Sequence, residues 1–149
     1  MRKYLVIPAL ALLLSAAPAR KAALPKVTVY KTATCGCCAK WVEHMKAAGF
    51  PVQVEVVPNT APYRQQAGMP DKYGSCHTAV AAGYTFEGHI PAADIKKFLQ
   101  AKPAALGLAV PGMPLGSPGM ESVRSDPYQT LLIQKNDAGN VTATIFEKH

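Results

Sequence analysis

At 149 residues the chain is one domain's worth of sequence, enough for a real core and too short for two. Its formal charge of +7 comes from scattered cations such as Lys31, Lys40, Lys46, Arg64 and Lys72, with Arg2 and Lys3 at the very start. No basic block with interleaved aromatics occurs, so the composition speaks against a nucleic-acid partner and for a basic, soluble surface.

The first 19 residues, MRKYLVIPALALLLSAAPA, join a basic start to an apolar run from Leu5 to Leu14 and end in Ala17-Pro18-Ala19. This is the pattern of a secretory signal peptide, and the run is too short for a comfortable membrane span. No cysteine lies near the cleavage site to carry a lipid. The expectation is an exported, soluble protein with no membrane attachment after cleavage.

Next comes KVTVYKT (Lys26 to Thr32), whose Val27 and Val29 alternate with polar neighbours as in a strand. Trp41, Val42, Met45 and Ala48 then recur at helical spacing, and Gly49 with Pro51 ends that helix. VQVEVV (Val52 to Val57) is a second strand, which completes a βαβ unit. Residues 58–75 are rich in Pro, Asn and Gly, with one short helix around Tyr63 to Ala67.

Thr78 to Val80 and Tyr84 to Phe86 read as a hairpin turning on Ala82-Gly83. Pro91 opens a helix, PAADIKKFLQ, with Ile95, Phe98 and Leu99 on one face and Pro103 just beyond it. The order β-α-β, β-hairpin, helix is that of an α/β, thioredoxin-like domain, here over residues 20–103. Residues 104–149 form a C-terminal extension of the same domain. It starts with a Gly/Pro/Met-rich stretch (Gly107 to Ser122) and closes with a β-hairpin, YQTLLIQK and VTATIFEK around NDAGN.

Three of the four cysteines fall within TATCGCCAKW (Thr32 to Trp41). Cys35 and Cys38 form a C-x-x-C, Cys35 and Cys37 a C-x-C, and Cys37 and Cys38 are neighbours that cannot close on each other comfortably. Two structural disulfides would be the plain reading in an oxidising compartment. Three thiols within four positions and one distant partner make a poor set of staples, however, so chemistry is the better explanation. The cluster sits at the N-terminus of the first helix, where unpaired N–H groups and the helix dipole favour thiolates.

The fourth cysteine, Cys76, precedes His77 in GSCHT, in the loop that faces the helix terminus in a thioredoxin-like fold. The hairpin register returns His89 beside both. His44 is expected to face solvent, His149 to be mobile at the terminus, and Trp41 and Met45 to be core. Met113 and Met120, in PGMPLGSPGM, are either a patch over apolar core or thioether ligands on a lid over the cluster.

A zinc site wants four ligands around one ion, which Cys35, Cys38, Cys76 and His77 could supply while leaving Cys37 unused. Cu(I) accepts two or three thiolates, and sulfur bridges copper ions, so the surplus of soft donors favours copper and more than one ion. The candidate metal ligands are Cys35, Cys37, Cys38, Cys76, His77, His89, Met113 and Met120, with no separate catalytic residues. A metal-free thiol–disulfide oxidoreductase is the alternative from another class, although Cys76 stands where thioredoxins keep a proline. Copper storage or chaperoning without turnover is a third.

Together, TATCGCCAKW, GSCHTAV, GYTFEGHIPA and GLAVPGMPLGSPGME resemble the CopG-type family of copper-resistance proteins, known by a CxCC motif, from about Val27 to the chain end. The resemblance implies a thioredoxin-like fold whose extension helps bind metal, and copper held by Cys35, Cys37 and Cys38 in the periplasm of a Gram-negative bacterium. It also implies interconversion of Cu(I) and Cu(II), feeding copper export or chaperone proteins. A monomer is expected.

Overall fold

Val27 and Val29, fully buried, form the inner face of β1 (Val27–Lys31) in the computed structural model, which describes residues 23–149. The expected signal peptide lies outside the described residues. Helix α1 (Gly36–Ala47) buries Cys38, Trp41, Val42 and Met45, a spacing that places all four on one face. Gly49, at φ +91°, turns the chain out of the helix and into β2 (Val52–Val56), which runs parallel to β1.

Beyond β2 lie α2 (Ala61–Gln66) and a 3₁₀ turn (Asp71–Tyr73). The sequence placed the short helix at Tyr63 to Ala67; it begins earlier because Pro62 fits its first turn, where a missing N–H costs nothing. The hairpin strands β3 (His77–Ala81) and β4 (Tyr84–Gly88) are longer than expected, so His77 belongs to the sheet. Their register pairs Thr78 with Glu87 and Ala79 with Phe86. Helix α3 (Ala92–Ala101) follows Pro91, with Ile95 and Phe98 fully buried.

The order β2-β1-β3-β4, parallel across the first pair and antiparallel across the others, is the thioredoxin-like arrangement. Trp41, Met45, Phe86, Ile95 and Phe98 fill the core between sheet and helices. The Gly/Pro/Met-rich stretch opens with an element to which the sequence assigned no strand: β5 (Gly107–Val110), parallel to β4 and buried throughout. Four residues, GLAV, are too few to show a period, and a buried parallel strand has none to show. The closing hairpin, β6 (Gln129–Lys135) and β7 (Val141–Lys148), then extends the sheet to seven strands.

Two histidines depart from expectation. His44 is half-buried rather than solvent-facing, and its Nε2 accepts the Ala92 N–H at 3.0 Å. Pro91 offers α3 no side-chain cap, so an imidazole from α1 does that work. Burial lowers the His44 pKa, which keeps the ring neutral and able to accept. His149 is not free: its Nε2 meets the buried Asp94 carboxylate at 3.0 Å, and its ring stacks on Tyr128.

A buried carboxylate fixes the loop before β3. Glu87 Oε1 accepts the Ser75 N–H at 2.7 Å and Arg64 Nη1 at 3.3 Å, and Oε2 accepts the Thr78 hydroxyl at 2.7 Å. Burial raises the Glu87 pKa, against the pull of Ser75, Thr78 and Arg64. Glu87→Ala would leave the Ser75 N–H, the Thr78 hydroxyl and Arg64 Nη1 without their buried partner, with Asp71 still holding the rest of the guanidinium, and should cost about 3 kcal/mol in urea unfolding. Asp71→Ala, which removes only a solvent-exposed partner of Arg64, should leave the midpoint almost unchanged.

Candidate metal centre

The cluster is built where β1 ends and α1 begins. Cys35 is the N-cap of α1 and makes no side-chain capping bond, so its sulfur is committed elsewhere. Cys35 and Cys38 are joined as a disulfide, with Cα atoms 5.4 Å apart. The sequence reading made all four cysteines ligands; here two are paired with each other, because a C-x-x-C on the first turn of a helix brings its ends together. Cys37 and Cys76 remain free thiols, each partly buried.

Cys37 lies between the other sulfurs, with Sγ 3.5 Å from Cys35 Sγ and 3.8 Å from Cys76 Sγ. Cys38 is fully buried, its sulfur 3.6 Å from the Cys76 carbonyl oxygen. That contact becomes a hydrogen bond only when the disulfide opens and an S–H exists to donate.

Cys76 sits one residue before β3, and continuing the β3–β4 register places it opposite His89. Its Sγ is 3.0 Å from His89 Nε2 and 3.5 Å from His77 Nδ1. Burial and the neighbouring Cys37 push the Cys76 thiol up to about 12, so without metal it carries its proton. Both imidazoles are fully buried. Burial pushes His77 down to about 3 and lowers His89 as well, so both rings are neutral and have lone pairs to offer.

His89 has a defined tautomer. Its Nδ1 donates to the Pro118 carbonyl at 2.8 Å, which leaves Nε2 unprotonated and aimed at Cys76 Sγ. A ligating histidine is commonly oriented in this way, by donating its second nitrogen to a backbone carbonyl. His77 Nε2 has no hydrogen-bond partner, alone in this among the buried side-chain nitrogens and oxygens of the described residues.

The strap that supplies Pro118 belongs to the extension. The Ser75 hydroxyl donates to the Gly112 carbonyl, and the Gly112 N–H donates to the Gly74 carbonyl at 3.3 Å, which pins the start of the strap beside Cys76. Gly119, at φ +86°, lies so close to α1 that an added Cβ would be 2.6 Å from the Cys37 carbonyl oxygen and 2.9 Å from the Trp41 nitrogen. The Gly119 N–H donates to the Glu121 carboxylate at 2.6 Å. Met120 is partly buried beside this contact, whereas Met113 is 53 % exposed and covers no core.

Two donor sets emerge whose ligand atoms all lie within 4.8 Å of one another: Cys35, Cys37, Cys38 and Cys76, and Cys76, His77 and His89. Cys76 belongs to both. Ser75, Pro118, Gly119 and Glu121 support the site and were not singled out in the sequence. Gly119 alone carried a signal there, in the repeated Pro-Gly-Met of the strap; Pro118 contributes through a backbone carbonyl, which side-chain chemistry does not reveal.

A family model described as a protein of unknown function, DUF411, matches residues 73–120, the span from just before Cys76 to Met120. No curated protein matches the chain. Two solved structures, titled copper resistance protein copG, form 1 and form 2, each align with a TM-score of 0.76 at 40% identity. Each alignment covers 85% of this chain and 98% of the other. At that identity over most of both chains, the chain is a member of the CopG copper-resistance protein family.

Proposed function

We propose that this protein is an exported copper-binding protein of copper resistance, which interconverts Cu(I) and Cu(II) at a cysteine-thiolate site holding more than one ion. The observation that carries the reading is the convergence of four sulfurs and two buried, neutral imidazoles, with Cys76 common to both donor sets. One tetrahedral ion cannot use six such donors, but thiolates shared between soft ions can. Cys37, flanked by sulfurs at 3.5 and 3.8 Å, is placed to bridge. His89 is oriented for ligation by Pro118, and His77 turns Nδ1 to within 3.5 Å of Cys76 Sγ.

Copper here is cargo and substrate. Bound to the cluster it would supply one-electron chemistry; the chain supplies soft sulfur, buried nitrogen donors and a strap that orients His89. Residues 104–149 act as the cap on the domain formed by residues 20–103, a role supported by the contacts of Pro118 and Gly119. Met120, partly buried next to Gly119, and Met113, exposed on the strap, are the thioether ligands of this reading. The leader-like first 19 residues support export to the periplasm, with delivery to copper export or chaperone proteins.

The Cys35–Cys38 disulfide at a helix N-terminus favours a second reading, a metal-free thiol–disulfide oxidoreductase. The two separate cleanly. Reduced protein titrated without oxygen should retain more than one Cu(I) per chain against a chromophoric chelator; Zn(II) held tightly with Cu(I) ignored would sink the copper reading. Cys37→Ser should lower that stoichiometry, since it removes the bridging sulfur. If Cys37→Ser instead reduces insulin at a thioredoxin-like rate, the metal-free reading wins. Reduction of Cu(II) that stops after one stoichiometric event, even with a thiol reductant present, would indicate storage.

The strap gives a further expectation. Gly119→Ala should cost about 1–3 kcal/mol through overpacking against α1. It should also speed the loss of copper to a chelator, as followed by stopped-flow absorbance, because the displaced strap no longer holds His89.

A further inference from the structure

The cysteines of the cluster are of two kinds. Cys35 and Cys38 are a disulfide, whereas Cys37 and Cys76 are thiols 3.8 Å apart, too far for a bond. The nitrogen donors go with the second pair: Cys76 Sγ is 3.0 Å from His89 Nε2 and 3.5 Å from His77 Nδ1. Closing the disulfide costs the site none of these groups, so the oxidised chain keeps an assembled sulfur–nitrogen donor set beside it.

We propose that the cysteines divide the work: Cys35 and Cys38 are a two-electron store that reduces Cu(II), while Cys37, Cys76 and His89 keep hold of the copper throughout. This inference rests on the copper reading above. The Cys35 and Cys38 thiols each lose a proton to solvent and one electron, and one S–S bond forms. Two Cu(II) ions each take one of those electrons and become Cu(I). Cys37 Sγ, 3.5 Å from Cys35 Sγ, brings the copper-holding sulfurs next to the reducing pair.

Resetting the store takes two electrons from a dithiol of the thiol–disulfide exchange class. Cys38 is fully buried and Cys35 is partly exposed, so the incoming thiolate attacks Cys35 Sγ and Cys38 leaves; the second thiol of the same dithiol then displaces Cys35 from the mixed disulfide and carries the S–S bond away. The departing Cys38 thiolate lies in the first turn of α1, where the helix dipole stabilises it. Once protonated, it can donate to the Cys76 carbonyl already 3.6 Å away. Copper held through Cys76 is thereby linked by one backbone unit to the state of the store.

The experiment gives Cu(II) to the reduced protein without oxygen, reading Cu(II) by electron paramagnetic resonance and thiols by alkylation with peptide mass mapping. Two Cu(II) per chain should lose their signal while two cysteines become resistant to alkylation and map to one Cys35–Cys38 linkage. The double variant Cys35→Ser/Cys38→Ser should bind fewer Cu(I) and leave the Cu(II) signal standing, with circular dichroism confirming its fold. A linkage mapped to Cys37 and Cys76, or Cu(II) reduced with all four thiols intact, overturns the proposal. So does a double variant that reduces Cu(II) as the parent does while still binding Cu(I). Failure of parent and variant alike to bind Cu(I) overturns the copper reading instead.

Discussion

The antiparallel register of β3 against β4, Thr78 facing Glu87, is the constraint from which the site follows. Continued outward, it sets Cys76 across from His89 and brings sulfur and Nε2 to 3.0 Å. Slipped by one residue, the same strands would turn every side chain to the opposite face and scatter the donors. Glu87 guards that register. Its carboxylate grips the Ser75 N–H in the approach to β3 and the Thr78 hydroxyl within it, with Arg64 as buried counter-ion. A charge placed in the dry interior for this purpose is an expensive device, acceptable because each oxygen is satisfied.

The second constraint is the closeness of the strap to α1. Gly119 lies where no side chain fits, and its neighbour Pro118 turns a carbonyl onto His89 Nδ1. The extension therefore does more than add strands to one edge of the sheet. By fixing a tautomer it turns His89 from an ambiguous ring into a directed donor. The route back to the site explains β5: pairing parallel with β4, it carries the chain along the buried face and releases it at Val110, beside the end of β4.

How much of this was legible in the sequence depended on whether periodicity or backbone carried the information. The helical repeat of Trp41, Val42, Met45 and Ala48 and the turn at Ala82-Gly83 were explicit, and with them the α/β order and the meeting of Cys76 with His89. β5 was hidden because a strand buried on both faces is a plain apolar run, and GLAV is short even for that. His44 was misjudged because helical position predicts facing, not whether a later element arrives in need of an acceptor. His149 was misjudged because a terminal residue is mobile only if nothing holds it, and Asp94, from α3, does. The Pro118 carbonyl and the Ser75 N–H were invisible for a general reason: every residue has such groups, and only the fold selects which of them matter.

TATCGCCAKW carries two geometries at once, and the fold uses both. The i, i+3 spacing on a first helical turn suits Cys35 and Cys38 to each other, as in a thiol–disulfide enzyme. The residue between them, Cys37, projects from the same turn toward Cys76 instead. A thioredoxin-like protein with only the first geometry would have nowhere to keep a metal once its disulfide closed. A metal site with only the second would have no local source of electrons. The proposed division of work needs both within four residues, and the cluster has them: a disulfide pair 3.5 Å from the sulfur of Cys37 at the positive end of one helix.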